Sequence, residues 1–289
     1  MRNIRTDLAL EAHRLSTQDG KEIEGVIVTN RQEGEITISK VEIINDAGSE
    51  TLGKAIGNYI TIECPTIRYS ADDSRRVCSL IAQEIRKMTK IDRNSVTLIV
   101  GLGNPEITPD ALGTEVVSHI LITHHLKNHM QEYLKEALGE EISGVCAITP
   151  GVLGTTGIET VETIKGIAAH IKPDLIIAVD ALAAGEIQRV SNTIQISDAG
   201  IQPGSGVGNN RAGMNEETLG TKVISIGVPT VIDARNISDM EIPQELSPLM
   251  VTTKDIDLVI KKCAKTIADG INLALHKNIT LEEILAFTG

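Results

Sequence analysis

DLIIAVDALAA, residues 174–184, is the stretch on which the fold turns. Leu175–Val179 is an unbroken apolar run about one strand long, and it runs straight into an acid, Asp180. Apolar runs without alternation mark strands covered on both faces, the habit of parallel sheets flanked by helices. Val96–Val100 and Lys222–Ile226 are two more runs of this kind. The spacing predicts helices between them, over Gly113–Leu138 with an interruption and over Ile158–Ile171. Thr156-x-x-Glu159 is positioned as a capping box for the second of these. Further helices are expected over Thr253–Leu275 and Leu281–Ala286. Strand–helix alternation of this sort predicts an α/β fold with a largely parallel sheet.

Upstream the pattern differs. Gly25–Thr29, Ile36–Ile44 and Asn58–Cys64 carry β-branched residues between polar turns, and so predict a β-rich extension. Asp72–Thr89 switches to a helical period, placing Val77, Leu80, Ile81, Ile85 and Met88 on one face. No Pro- or Ser-rich linker separates the two parts, so residues 8–289 read as one domain. Asp198–Gly220 stands out as a long loop with six glycines, a length that points to function or mobility.

Composition narrows the chemistry. The chain has 289 residues, 41% hydrophobic and 23% charged, enough apolar matter for a substantial core and too little charge for disorder. No run approaches the roughly 20 apolar residues that a membrane helix needs, and MRNIRTDLALEAHR lacks a signal-peptide core, so a soluble cytoplasmic protein is expected. Net charge is −12, and there are three Tyr, one Phe and no Trp. Phosphate neutralisation and base stacking both need what this chain lacks, which argues against nucleic acid as a partner. Cys64, Cys78, Cys146 and Cys263 are widely spaced without a Cys-x-x-Cys pair, as expected of reduced, buried thiols.

Two acids follow predicted parallel strands: Asp110, at the end of GLGNPEITPD after Val96–Val100, and Asp180. Open α/β sheets bind ligands beyond the carboxyl ends of their strands. If the strands are neighbours, the two carboxylates can share a proton, since like charges at short range do not both ionise, and the ionised member can then activate water. The alternative for Asp110 is structural, because Thr108-Pro109-Asp110 also has the form of a helix start. Asp180 has the corresponding alternative of capping a turn. Gly101-Leu102-Gly103 follows a strand as a phosphate-binding turn does, but the full Gly-x-Gly-x-x-Gly spacing is missing, and so is a Walker A sequence. His124, His125 and His129, on a helix, are weak metal-ligand candidates without His-Glu-x-x-His, and His119 stands nearby. Gly204-Ser205-Gly206 has only a superficial likeness to a nucleophile elbow.

Beyond these single features, the chain resembles the germination proteases of endospore-forming bacteria in a series of ordered blocks. They are RTDLALEA (5–12), VGLGNPEITPDALG (100–113), GTTGIETVETIKGI (154–167), DLIIAVDALAA, TIQISDAGIQPGSGVGNNR (193–211), TLGTKVISIGVPTVIDA (218–234) and MVTTKDID (250–257). The resemblance implies an endopeptidase that begins the degradation of small acid-soluble spore proteins, in the forespore and spore core. It implies a homotetramer and a fold akin to the hydrogenase-maturation endopeptidases; no metal or other cofactor is expected, because no cluster of His, Cys and carboxylate stands near either acid in sequence. The family's two essential aspartates fall in the blocks that carry Asp110 and Asp180. Pro105 and Thr114 depart from the family pattern, and the chain is shorter than many members. IVGLGNP (99–105) also opens peptidyl-tRNA hydrolases, but there at the N-terminus; an inactive homologue that binds spore proteins is the other alternative.

The resemblance also implies a zymogen with a short propeptide removed by self-cleavage. Family sites read as an acid, an apolar residue, Ala, any residue and Glu. Asp7-Leu8-Ala9-Leu10-Glu11 fits that order, which places the cut between Asp7 and Leu8 and makes residues 1–7 the leader. The bland alternative is an N-terminus that merely begins the fold.

Overall fold

The computed structural model describes residues 6–17, 22–127, 142–203, 212–237, 249–277 and 279–288. Its centre is a nine-stranded sheet. The strands are β1 (Val26–Glu33), β2 (Ile36–Ile43), β3 (Gly57–Glu63), β4 (Val96–Gly101), β5 (Gly144–Ile148), β6 (Leu175–Ala184), β7 (Thr193–Ser197), β8 (Val223–Asp233) and β9 (Met250–Val251). Across the sheet the order is β1-β2-β3-β7-β8-β6-β4-β5, with β9 on the far end of β8.

The expectation of a largely parallel sheet is corrected: the sheet is mixed. β8, β6, β4 and β5 run parallel, whereas β1, β2, β3, β7 and β8 pair antiparallel in succession. The cause lies in the connections. Glu33 pairs with Ile36 across a two-residue hairpin, a link too short for the crossover that parallel strands require. The N-terminal β segment therefore continues the main sheet, with β7 inserted as the bridge between β3 and β8.

Helices cover both faces. On one, Ala71–Met88, Ile256–Leu275 and Leu112–Ser118 pack on Ile38, Ile60, Ile177, Val179, Ile194, Ile196, Ile224 and Ile226. Ala71–Met88 starts where Ser70 accepts from the Asp73 N–H, and it buries the expected stripe of Val77, Leu80, Ile81 and Ile85. On the other face, Thr160–Ile171 covers the parallel half through Val161, Ile164 and Ala168. Ala9–Ser16 lies over the antiparallel half, where Ala9 and Leu10 meet Val41, Ile43 and Tyr59.

Local expectations held unevenly. The region read as Gly113–Leu138 forms Leu112–Ser118 and His124–Lys127 with a break between, and 128–138 lies outside the described residues. The Thr156–Glu159 capping box does not form. Thr156 ends a separate turn, Leu153–Thr156, and its hydroxyl bonds to the carbonyls of Val152 and Ile158, while Glu159 caps the next helix without a side-chain bond. Among the described residues no helix is long and apolar enough to cross a membrane.

Candidate active site

β4 pairs with β6 only as far as Gly101↔Val179, but β6 continues to Ala184 beside β8. Asp180 is therefore an interior residue of a ten-residue strand, not the residue after its end as the apolar run suggested. It is the first position at which β6 has lost its β4 partner. Only 6% of Asp180 is exposed, and its Oδ1 accepts from the Ala181 N–H at 2.9 Å.

The register then sets a grid on the helix-poor part of this face. Asp180 lies opposite Gly227, and Gly227 lies opposite Gln195. In the neighbouring row Ala178, Ser225, Ser197 and Tyr59 stand side by side. Residues paired across strands point to the same face, so Asp180, Gln195, Ser197 and Ser225 form a polar floor where the two apolar clusters of this side stop. A cavity of about 350 Å³ stands on it. Asp7 and Lys54 line it, and so do Gly200, Gln202, Gly213 and Asn215, from the two described ends of the glycine-rich segment. Residues 204–211 of that segment, with Gly204-Ser205-Gly206, lie outside the described residues.

Asp110 comes from the other side of the β4 terminus. Thr108–Asp110 is a single 3-10 turn, followed by the helix Leu112–Ser118, whose N-cap Ala111 supplies no side-chain bond. The helix-start reading thus places Thr108 wrongly. The Asp110 carboxylate accepts from the Asn104 N–H at 2.7 Å. Gly103 makes this turn possible: its φ is +103°, and a Cβ there would stand 1.9 Å from the Asp110 carbonyl oxygen. The glycines after β4 therefore serve a close approach of backbone to backbone. Asp110 and Asp180 come from separate elements beside the Gly101↔Val179 pair; Asp180 lines the cavity, and the Asp110 carboxylate holds the Asn104 N–H in the turn after β4.

The N-terminal segment is docked on this site. Leu8 and Ala9 are fully buried. The Asp7 N–H donates to the Ala183 carbonyl at 3.0 Å, and the Ala183 N–H donates to the Asp7 carboxylate at 2.8 Å. Asp7 thus takes up the backbone groups that β6 exposes after β4 ends. Gln195 bonds to the same segment from the opposite side, to the Asp7 carbonyl and the Ala9 N–H. Lys54 Nζ donates to the Thr6 carbonyl at 3.1 Å; burial lowers its pKa, opposed by the carboxylates of Asp7 and Glu11.

Glu11, 1% exposed, accepts from the N–H groups of Gly185 at 2.6 Å and Glu186 at 3.0 Å and from the Thr6 hydroxyl. Burial raises its carboxyl above the usual range against these bonds and the charge of Arg189. Arg189, itself 2% exposed, reaches Glu11 at 3.4 Å, Glu186 at 3.1 Å and Glu63 at 2.8 Å. Sequence reading missed Lys54, Glu11, Arg189 and Gln195 as working parts. Glu11 was read only as part of the cut-site motif, and Lys54, Arg189 and Gln195 meet the N-terminal segment from far along the chain.

The remaining candidates stay apart from the cavity. His119 faces Glu115 at 3.7 Å on its own helix, His124 and His125 stand on His124–Lys127, and His129 lies outside the described residues. Among the described residues no group of three or more His, Cys, Asp and Glu converges on a metal position. All four cysteines are free, and burial pushes the thiols of Cys78 and Cys263 up to about 12.

Comparison with known proteins adds the family. The sequence model of the germination proteases matches residues 5–246. A germination protease of Caldanaerobacter subterraneus subsp. tengcongensis is 44% identical, with 97% of each chain covered. One from Clostridium tetani is 40% identical over 99% of both chains. One from Bacillus cereus is 38% identical over 99% of this chain and 97% of its own.

Proposed function

The chain belongs to the germination protease family, and from that premise we propose that Asp110 and Asp180 activate water to cut small acid-soluble spore proteins, in an enzyme made as a self-processing zymogen. The protein is an endopeptidase of spore germination; the aspartate pair, the leader and the assembly are this reading's own. One observation carries it: Asp7, at the expected cut, and Asp180 line the same cavity.

The chemistry follows from the carboxylates. Two acids at short range hold one proton between them. The ionised one takes a proton from water as its oxygen adds to the peptide carbonyl carbon, and the protonated one gives its proton to the departing amine. Asp180 is sheltered from bulk water, which strengthens this exchange. Leu8 is fully buried and Ala9 opens a helix, so the Asp7–Leu8 bond is out of reach of a second enzyme molecule. In this reading the cut is intramolecular, which spares it the entropy of bringing enzyme and substrate together. Asp7, the last residue of that leader, then occupies the cavity until it leaves.

The same reading takes the enzyme as a homotetramer of the forespore and spore core, working without a metal. The test is incubation of the purified chain with a small acid-soluble spore protein, with products mapped by mass spectrometry. Cuts after acidic residues, and a first-order loss of residues 1–7 that does not change with protein concentration, are expected. Absence of spore-protein cleavage under every condition overturns the proposal.

A further inference from the structure

Three strands place Asp180, Gly227 and Gln195 in one row. Adjacent strands are about 4.8 Å apart, so the backbones of Asp180 and Gln195 are separated by about 10 Å, with Gly227 between them contributing no side chain. Both side chains line the cavity that Asp7 also lines, and the docked N-terminal segment shows how that cavity holds a peptide. Gln195 is 8% exposed and makes two bonds to this segment. Its Oε1 accepts from the Ala9 N–H at 2.8 Å, and its Nε2 donates to the Asp7 carbonyl oxygen at 3.2 Å. The two partners fix the orientation of the amide, because an N–H requires an acceptor and a carbonyl requires a donor. The carbonyl that receives the Nε2 proton is the one belonging to the Asp7–Leu8 peptide bond.

We propose that Gln195 is a catalytic residue that polarises the carbonyl of the peptide bond to be cut and stabilises the oxyanion formed on it. The inference rests on the peptidase reading above and adds to it the electrophilic half of the site. As water adds to the carbonyl carbon of Asp7, the C=O π pair moves onto the oxygen facing Gln195, while the water proton passes to the aspartate pair. Collapse of the oxyanion re-forms C=O and breaks the C–N bond to Leu8, whose nitrogen takes a proton from the pair. The amide keeps its own proton throughout and acts as a fixed dipole, already aimed and shielded from solvent. Such donors act most where charge develops, so the 3.2 Å contact of the ground state is expected to shorten in the transition state. In a bound substrate the residue before the cut takes the position of Asp7, and its carbonyl meets the same amide. Gly227 is a required part of the arrangement, since the Leu182 side chain packs over it, with Cγ only 2.6 Å from where a Cβ would stand.

Gln195→Glu separates catalysis from structure. The substituted carboxylate still accepts from the Ala9 N–H but offers the carbonyl no donor at neutral pH. Full-length parent, Gln195→Glu and Gln195→Met chains are followed by intact mass for loss of residues 1–7, with a melting curve for each. The expected result for Gln195→Glu is processing slowed about 10²–10³-fold at neutral pH, the range for loss of one oxyanion donor. Its melting curve measures the cost of the buried carboxylate, and rates are compared where each chain is folded. Its rate should recover towards acid pH as the new carboxyl protonates and becomes a donor. Gln195→Met, close in volume and uncharged, should be slow without acid recovery, and it keeps the test decisive if the carboxylate variant does not fold. With a peptide substrate kcat should fall while KM stays within about threefold. Processing by both variants at the parental rate, while Asp180→Asn is silent, overturns the role of Gln195 alone. A parent that neither processes nor cuts spore protein overturns the peptidase reading, and this inference with it.

Discussion

Replacing Arg189 by Met tests how the N-terminal segment is held. The side chain is 2% exposed and stands among Glu11, Glu63 and Glu186. Once it is gone, Glu63 and Glu186 can turn to water, since their side chains are 26% and 35% exposed. Glu11 cannot, because its own is 1% exposed. It keeps the N–H groups of Gly185 and Glu186 and the Thr6 hydroxyl, but loses the charge that balances it. Breaking a buried ion pair from one side costs about 3–5 kcal/mol, and the retained bonds put this case near 3. At about 2–4 °C per kcal/mol for a chain of this size, the melting temperature should fall about 6–12 °C. The sign with pH follows from Glu11. Burial raises its folded pKa, so the folded state holds the proton more tightly, and stability from this group grows as pH falls. Losing Arg189 raises that pKa further, so the deficit should be larger at about pH 8 than at about pH 5. The double variant Glu11→Gln, Arg189→Met should recover most of the loss. Calorimetry on parent, single and double variants measures all of this. A single variant that melts within about 2 °C of the parent at both pH values refutes the reasoning.

Three further outcomes are expected. His276 is 1% exposed, and burial pulls it down to about 4 from 6.5, so the unfolded chain binds its proton first. The stability it contributes is complete above about pH 6.5 and is lost as pH falls to about 4, a span of roughly 3 kcal/mol; His276→Leu should flatten that acid limb in pH-resolved urea melts. Gly227→Ala puts a methyl 2.6 Å from Leu182 Cγ and 3.0 Å from the Asp180 carbonyl oxygen. Overpacking of about 1–3 kcal/mol and loss of peptide cleavage should follow, read by melting and by assay on a spore protein. Gly103→Ala forces the Asp110 turn outward, and a displacement of about 1 Å in a working group costs on the order of 10²-fold in rate, visible in kcat.

The parallel half of the fold was legible because strands buried on both faces carry few polar residues: Leu175–Val179 has none and Val96–Val100 only Thr97. The end of β6 was not, since a charged residue reads as the end of an apolar run. Asp180 instead stays within the strand because the floor around it is polar. β7 escaped for the same reason: Gln195 and Ser197 face the cavity, while Ile194 and Ile196 face the core. Strand direction was misjudged because it depends on how short the links are and on where β7 is inserted, which composition does not record. Topology alone placed Asp110 after β4, where it lies, but it put Asp180 after β6, whereas Asp180 lies inside that strand. Glu11 and Arg189 stand far apart in the sequence, and their meeting is a product of tertiary structure.

The most direct test of the aspartate mechanism is the rate at which Asp180→Asn cuts a small acid-soluble spore protein, measured beside a melting curve. Asparagine keeps the volume and can neither take nor give the proton, so the account predicts a fall of at least about 10²-fold with the fold intact. Cleavage by Asp180→Asn at the parental rate would contradict it.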